Sequence, residues 1–152
     1  MTISVGQAVE LARAAGFGGD ALVTIVAIAM AESGLDPSAQ GWNGPTAGCP
    51  GGSVDRGILQ INSCYHAEVS DAQAYDPAAA FRAGFAISGG GASFGPWATY
   101  TGGQYRSHVE EVRAAASLGG GGGGGDRALV GTGLNATQLA LLAALLVLGL
   151  TD

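Results

Sequence analysis

Residues 21–34 carry the sequence ALVTIVAIAMAESG, and the predicted architecture follows from this segment. Asp20 lies directly before it and is a favoured helix N-cap, while Gly34 closes it with a typical helix stop. The spacing predicts a helix over residues 21–33 that is apolar on nearly every side, and a helix of that kind is buried. We therefore expect a mainly helical domain that packs around this segment.

The segments on either side predict helices with one apolar face. Ser4 and Gln7 form the pattern of a capping box before a helix over residues 5–15, and Gly16 suits a left-handed end to that helix. Further along the chain, Asp76 followed by a proline predicts the start of another helix. These helices supply the partners that the buried segment needs.

Aromatic and branched side chains mark the inner faces of the later helices. Phe81 and Phe85 lie one turn apart in the helix that Asp76 starts, and the glycines at residues 89–91 end it. A last helix is predicted over residues 104–117, and three of its side chains are expected to point inward: Tyr105, Val109 and Val112.

Between the helices the composition predicts irregular structure and a short extended element. Residues 34–56 are rich in Gly, Pro, Ser and Asn, which is typical of an irregular surface loop. Residues 57–62, with the sequence GILQIN, alternate briefly between apolar and polar types and predict a short strand or extended segment. The expected architecture is a small α+β domain, mainly helical, with a short β element.

The composition excludes two classes of protein. The chain has 152 residues, of which 47% are hydrophobic and 12% are charged, so it is too apolar to be disordered throughout. Its formal net charge is −6 at pH 7, and its six basic residues are all Arg. Because so few cations cannot neutralise a run of phosphates, we expect no nucleic-acid partner.

Composition also divides the chain into three regions. Residues 1–118 have the composition of a globular domain, whereas residues 119–127 begin with seven consecutive glycines and predict a flexible linker. In the last region, residues 128–152, the stretch 134–150 has no charge and carries leucines on every side. This pattern predicts a C-terminal hydrophobic helix that spans a membrane. A helix bound to a partner protein and a helix that covers its own domain are the alternatives.

The two cysteines, Cys49 and Cys64, lie fifteen residues apart. A disulfide that closes this loop would stabilise the fold by about 3 kcal/mol in the chain-entropy model. Two free thiols in a reducing compartment are the alternative. Together with the distant His66 and His108, the cysteines show no repeated ligand spacing, so we expect no metal site.

Glu32 is the strongest candidate for chemistry. It follows eleven apolar or hydroxyl residues in the helix that must be buried, and a buried carboxylate is costly unless it is paired, hydrogen-bonded or protonated. Burial and the negative end of its own helix both act to raise its pKa. A carboxyl that stays protonated near neutral pH can act as a general acid. A structural carboxylate that caps a neighbouring loop is the alternative.

Asp55 is the second candidate, because it lies just before the predicted extended segment and across the irregular loop from Glu32. Two carboxylates with unlike surroundings are the pattern of glycoside cleavage, in which one protonates the leaving oxygen and the other supports the positive sugar. A surface salt bridge to Arg56 or Arg82 is the alternative.

Three short segments carry a family resemblance in their order along the chain. They are residues 31–34 (AESG), 57–63 (GILQINS) and 97–103 (WATYTGG). Together they resemble the motifs of the lysozyme-like superfamily, in particular those of soluble lytic transglycosylase domains. Residues 55–63 (DRGILQINS) are also similar to a segment of animal-type lysozymes. The resemblance covers about residues 5–115.

The resemblance implies a lysozyme-like α+β fold with an active-site cleft. It also implies a muramidase, an enzyme that cleaves the β-1,4 bond between N-acetylmuramic acid and N-acetylglucosamine in the glycan strands of peptidoglycan. Glu32 matches the catalytic acid of the family, and Asp55 matches the second carboxylate of animal-type lysozymes. The resemblance implies no cofactor and no metal.

Five further residues are expected to bind or position the glycan. Gln60 matches the glutamine of the second motif, which lies beside the cleft in the family, and Tyr100 matches the tyrosine of the third motif, which lies near the catalytic Glu of transglycosylases. Ser33 and Asn62 belong to the same motifs. Trp42 lies in a Gly/Asn/Pro loop, where an exposed aromatic ring suits a cleft wall.

The chain departs from the transglycosylase pattern at two positions. Thr101 stands where those enzymes usually have Asn, and Leu59 replaces a Met of similar volume. Transglycosylases leave a cyclic anhydro sugar, whereas lysozymes add water. Because the chain combines motifs of both, both outcomes stay open.

The layout suggests where such an enzyme works. An acidic enzyme gains little from attraction to the cell wall, so a tether would serve to raise its local concentration. We expect a membrane-anchored protein that acts on the bacterial cell wall, either within a phage particle or anchored by its tail in a bacterium. A non-catalytic structural or glycan-binding membrane protein of lysozyme-like fold is the alternative, and it would leave Glu32 without a role.

Overall fold

The structure is a computed structural model that describes residues 1–119. Within this range lie six α-helices: α1 (Val5–Ala14), α2 (Gly19–Ser33), α3 (Asp71–Tyr75), α4 (Pro77–Ile87), α5 (Ala98–Thr101) and α6 (Val109–Gly119). A 3-10 helix (Gln104–His108) precedes α6. Three short antiparallel strands form one sheet in the order β1 (Gln40–Asn43), β2 (Ser53–Arg56) and β3 (Ile61–Asn62). This is the mainly helical α+β architecture that the sequence predicts.

Residues 120–152 lie outside the described part of the chain. The predicted C-terminal helix and all but the first residue of the predicted linker fall there. The compact unit that holds the described residues ends at Gly120, inside the run of glycines. Among residues 1–119, no helix is long and apolar enough to cross a membrane.

Helix α2 is the buried central helix, as its composition predicts. Gly34 takes the left-handed conformation that ends it, with φ of 60°. The predicted N-cap is wrong, because the helix begins at Gly19 with Gly18 as its cap; Asp20 lies in the first turn, where a negative side chain still favours the helix dipole. Seven of the eight residues from position 22 to position 29 are buried: Leu22, Val23, Ile25, Val26, Ala27, Ile28 and Ala29.

Side-chain caps start α1 and α4, which confirms both predictions. Ser4 Oγ accepts the backbone N–H of Gln7, and the Gln7 side chain accepts the backbone N–H of Ser4. Asp76 Oδ1 accepts the N–H of Ala79 at 2.7 Å, one residue ahead of the proline that begins α4. Gly16, which follows the end of α1, has φ of 110°. Because these caps are contacts between residues close in sequence, the first residues of both helices can be predicted from the sequence alone.

The sequence predictions are partly wrong for the two segments that form the sheet. Residues 34–56 are not irregular throughout, because β1 and β2 pair within them in antiparallel register. Residues 57–60 are not a strand but the turn that joins β2 to β3. Ile58 and Leu59 in this turn are fully buried, so two neighbouring side chains enter the core where an exposed strand would alternate.

Gly57 and Arg56 hold this turn in place. Gly57 has φ of 69°, and a Cβ at this position would overlap the backbone carbonyl of Ala74, so only glycine fits. The guanidinium of Arg56 is buried; it donates to the carbonyl oxygen of Val69 at 3.0 Å and to Asp71 Oδ1 at 2.8 Å. The turn and the chain that follows β3 are therefore fastened to each other.

The last helical segment differs from its prediction at both ends. Residues 104–117 do not form one α-helix, because the first turn is a 3-10 helix, and α6 continues as far as Gly119. The predicted inner face is confirmed: Val112 is fully buried, and Tyr105 and Val109 pack against the core. This segment covers one side of α2, and the cleft described next opens at the end of that helix.

Candidate active site

A cleft of about 370 Å³ opens between the end of α2, the hairpin of β2 and β3, and the segment that leads into α5. Both candidate carboxylates, Glu32 and Asp55, line it. Gln60, Asn62 and Trp97 line it with them. The fold thus brings together residues from all three motif segments of the sequence.

Glu32 lies in the last turn of α2 and is half-buried. The Thr99 hydroxyl donates a hydrogen bond to Glu32 Oε1 at 2.7 Å. Burial raises the pKa of the Glu32 carboxyl above its usual value, hydrogen bonds from the Thr99 side chain and backbone lower it, and the charge of Asp55 raises it again. The net direction is upward because burial dominates, and this is the direction that a general acid requires.

Asp55, on β2, is held in a different way. The side-chain amide of Asn43 donates to Asp55 Oδ2 and that of Asn62 donates to Asp55 Oδ1, each at 2.7 Å. Both carboxylate oxygens are therefore acceptors, which is the role of an ionised carboxylate. The alternative of an ion pair with Arg56 is not realised in the described part of the chain, because that guanidinium pairs with Asp71.

Asn62 connects Asp55 to the chain that follows β3. Its amide nitrogen also lies 2.8 Å from Ser53 Oγ, and its Oδ1 accepts the backbone N–H groups of Cys64 at 3.0 Å and Tyr65 at 3.1 Å. Asn62 lines the cleft, but its polar atoms bind other groups of the protein. Its contacts suit the orientation of Asp55 better than direct binding of a sugar.

Gln60 and Ser33 both hold the turn between β2 and β3. Gln60 has φ of 48°, and its Nε2 donates to the carbonyl oxygens of Gly57 at 2.8 Å and Ala39 at 3.1 Å. Ser33 lies beside Glu32 but does not line the cleft; its hydroxyl is 2.8 Å from the carbonyl oxygen of Ile58. The end of α2 is thereby joined to the turn.

The aromatic side chains near the site have different surroundings. Tyr100 does not line the cleft but packs against two other aromatic rings. Trp42 on β1 is exposed and also lies outside the cleft lining. Trp97 is buried and lines the cleft, and its indole N–H donates to the carbonyl oxygen of Leu59 at 3.0 Å. Tyr65, which is 66% exposed, is the open aromatic ring in the cleft wall.

Among the site residues that the sequence does not single out are Asn43, Thr99 and His66. Thr99 lies in the third motif, directly before Tyr100, so its position in the motif was an available signal. His66 lines the cleft, and its Nδ1 atom lies 3.3 Å from Oε1 of Glu68. No periodicity or motif marks it, because the long loop after β3 carries it there.

Cys49 and Cys64 form a disulfide with Cα atoms 6.0 Å apart, which is the first of the two arrangements that the sequence leaves open. The bond fastens the loop between β1 and β2 to the chain just after Asn62. Cys64 itself donates its N–H to Asn62, as described above. Over residues 1–119, no group of three or more His, Cys, Asp or Glu side chains could hold a metal ion.

Comparison with known families is consistent with this geometry. A family model described as a lysozyme-like domain matches residues 9–99, which is more than half of the chain and includes both carboxylates. No curated protein and no solved structure gives a significant match.

Proposed function

Because this chain belongs to the lysozyme-like domain family, we propose that it is a muramidase that hydrolyses the β-1,4 bond between N-acetylmuramic acid and N-acetylglucosamine. A function of the peptidoglycan-lytic kind follows from the family. The observation that carries the finer proposal is the pair of carboxylates, Glu32 and Asp55, which face one cleft with unlike surroundings. Such a pair separates the roles of acid and charge stabiliser.

Glu32 acts as the general acid in the first step. Its raised pKa extends upward the pH range in which the carboxyl holds a proton to donate. The proton passes to the glycosidic oxygen as the bond from that oxygen to C1 of the muramic acid breaks, and the leaving sugar departs as an alcohol. The muramic acid ring is left with positive charge at C1.

Asp55 stabilises that positive charge. The amides of Asn43 and Asn62 hold both of its oxygens, so the carboxylate needs no reorganisation when the charge develops. In the second step Glu32, now a carboxylate, takes a proton from water, and the water oxygen bonds to C1. The products are two shorter strands, one of which ends in a reducing muramic acid.

The walls of the cleft suit an uncharged sugar chain. Tyr65 and Trp97 present aromatic surface, and the residues that line the cleft include no Arg and no Lys. Aromatic faces bind the rings of a glycan. We therefore assign glycan contact to Tyr65 and Trp97. We assign support of the site to Ser33, Gln60, Asn62 and Tyr100.

Hydrolysis is favoured over the transglycosylase outcome by the way in which Asp55 is held. Transglycosylases of the family resemblance work with a single catalytic Glu, so in such an enzyme Asp55 would have no task in the cleft. Here two asparagines on neighbouring strands converge on this one carboxylate. That arrangement is costly to assemble for a group without a role.

Release of soluble muropeptides from purified peptidoglycan tests the proposal. The full chain should release them, and Glu32→Gln should lose activity by more than about a hundredfold. Glu111→Gln on the exposed face of α6 is the matched control and should keep full activity. Binding to peptidoglycan without release would instead favour the non-catalytic alternative, and release from chitin alone would change the substrate.

The C-terminal region supports a separate proposal about location. From the sequence of residues 119–152 we propose a glycine linker and an apolar tether that holds the domain at a membrane or within a phage particle. Sedimentation of the full chain with phosphatidylcholine vesicles tests it, with Leu145→Asp/Leu146→Asp as the comparison. Loss of co-sedimentation in this variant supports a membrane tether, and equal behaviour of both chains contradicts it.

A further inference from the structure

The hydrogen bond from the Thr99 hydroxyl to Glu32 Oε1, at 2.7 Å, takes no part in the two proton-transfer steps of the proposed mechanism. We propose that Thr99 is a positioning residue that keeps Oε1 as an acceptor, so that Oε2 carries the proton that Glu32 donates. This inference rests on the proposed function, in which Glu32 is the acid. It adds the choice of which carboxyl oxygen delivers the proton.

The chemistry of a protonated carboxyl group supports this choice. Such a group has one O–H donor and one carbonyl oxygen that can only accept. When Thr99 donates to Oε1, the arrangement that keeps this hydrogen bond places the proton of Glu32 on Oε2. Among the described residues, the Thr99 hydroxyl is the side-chain donor to Glu32, and it binds Oε1 rather than Oε2. The proton is therefore held on Oε2, which the Thr99 hydroxyl does not bind.

The residue of the third motif that contacts Glu32 is Thr99 and not Tyr100. In transglycosylases the tyrosine of the third motif lies near the catalytic Glu, and Tyr100 matches it. In this chain the Tyr100 ring packs against Phe94, with ring centroids 5.6 Å apart, and against Tyr105 at 4.9 Å. Thr99, the preceding residue, contacts the carboxyl group instead.

Both partners of this hydrogen bond are anchored to the same turn. Trp97, two residues before Thr99, is buried and donates its indole N–H to the carbonyl oxygen of Leu59 at 3.0 Å. Ser33, the neighbour of Glu32, lies 2.8 Å from the carbonyl oxygen of Ile58. Adjacent carbonyls of one buried turn thus fix the separation of donor and acceptor, as a preorganised site requires.

Electrostatics makes the role of Thr99 measurable. The hydrogen bonds from Thr99 lower the pKa of Glu32, whereas burial and the charge of Asp55 raise it. The other titratable groups in the cleft are Tyr65 and His66. Loss of the Thr99 hydroxyl should therefore raise the pKa of Glu32 further. Because the reaction needs protonated Glu32, the alkaline limb of the pH–rate profile should move to higher pH.

Three full-length variants test the inference on peptidoglycan. Thr99→Val keeps the shape of the side chain but removes the donor. It should lower kcat about tenfold at unchanged KM and move the alkaline limb up by about one pH unit. Thr99→Ser keeps the hydroxyl donor, so its kcat and its alkaline limb should both lie close to those of the parent chain. Thr101→Val, an exposed threonine whose hydroxyl bonds only within α5, is the matched control and should change neither.

If kcat falls in Thr99→Val but the alkaline limb of the pH–rate profile does not move, the inference is overturned. A merely structural residue lowers activity at every pH. A second measurement does not depend on activity: the pKa of Glu32 from ¹³C carboxyl NMR should rise in Thr99→Val and return in Thr99→Ser. If the pKa moves while the unmodified chain cleaves no peptidoglycan, the contact is real and the proposed function is what fails. If the pKa does not move, the positioning role of Thr99 fails by itself.

Discussion

Asp55 and Asn62 are cross-strand partners in the antiparallel pair of β2 and β3, and the Asn62 amide donates to Asp55 Oδ1 at 2.7 Å. Residues opposite each other on adjacent strands project to the same face of the sheet. The pairing of the hairpin therefore places the amide against the carboxylate. The same Asn62 side chain binds two backbone N–H groups of the loop after β3, so the orientation of Asp55 depends on the conformation of that loop.

The first prediction concerns this pair. Asn62→Ala should lower kcat about tenfold with little change in KM, because the charge stabiliser loses its orientation while the sugar contacts remain. Gln104→Ala is the control, because Gln104 is an exposed amide that does not line the cleft. In an Asp55→Asn background, Asn62→Ala should cause no further loss of kcat. Additive losses in the double variant would contradict the dependence of one residue on the other.

The second prediction concerns the disulfide. Replacement of both cysteines, Cys49→Ser/Cys64→Ser, should lower the free energy of unfolding by about 3 kcal/mol, since the bond closes a loop of fifteen residues. Urea unfolding of the variant and of the parent chain measures the difference. Equal midpoints for the parent chain with and without reductant would show that the bond does not constrain the unfolded state.

Arg56 is the subject of the third prediction. Arg56→Met should cost about 3 kcal/mol, because it leaves buried carbonyl groups such as that of Val69 without donors. Asp71→Asn should cost less than about 1 kcal/mol, since Asp71 is 79% exposed and its ion pair is screened. Denaturant titration of both variants checks the order, and equal costs would mean that the ion pair, rather than the carbonyl contacts, carries the stability.

The fourth prediction concerns the cost of keeping Glu32 in the cleft. Its pKa is raised in the folded state, so the folded chain binds more protons than the unfolded chain between the two pKa values. The contribution of Glu32 to the free energy of unfolding is therefore fully present below the unfolded pKa. It is lost as the pH rises through the folded pKa.

Glu32→Gln should consequently denature at a higher temperature than the parent chain at pH 7, and the difference should disappear near pH 4. Glu111→Gln on the exposed face of α6 serves as the control and should show no such dependence. A Glu32→Gln chain that is less stable at pH 7 would indicate that the carboxylate is a structural group and not a strained catalytic one.

Local signals were sufficient to predict much of the fold. The caps of α1 and α4 are contacts between residues three apart, and they follow directly from the side-chain types at Ser4 and Asp76. The buried course of α2 and the position of Glu32 in its last turn could be expected for the same reason, since both depend on a single continuous segment.

Contacts between distant segments could not be predicted in the same way. Thr99 reaches Glu32 across 67 residues of sequence, and only the packing of α5 on the end of α2 brings them together. Residues 57–62 resemble a strand in sequence because apolar and polar types alternate briefly there, yet the adjacent side chains of Ile58 and Leu59 are both buried in a turn. Trp42 was expected in the cleft wall, yet the register of β1 leaves it outside the lining.

The mass of the muropeptides that the full chain releases from purified peptidoglycan distinguishes hydrolysis from transglycosylation. If Glu32 is the acid and Asp55 supports the positive sugar until water arrives, the new ends are reducing N-acetylmuramic acid, and Asp55→Asn loses most of the release. If the new ends are 1,6-anhydro sugars and Asp55→Asn releases them at the parent rate, the reaction is a transglycosylation and the role assigned to Asp55 is wrong.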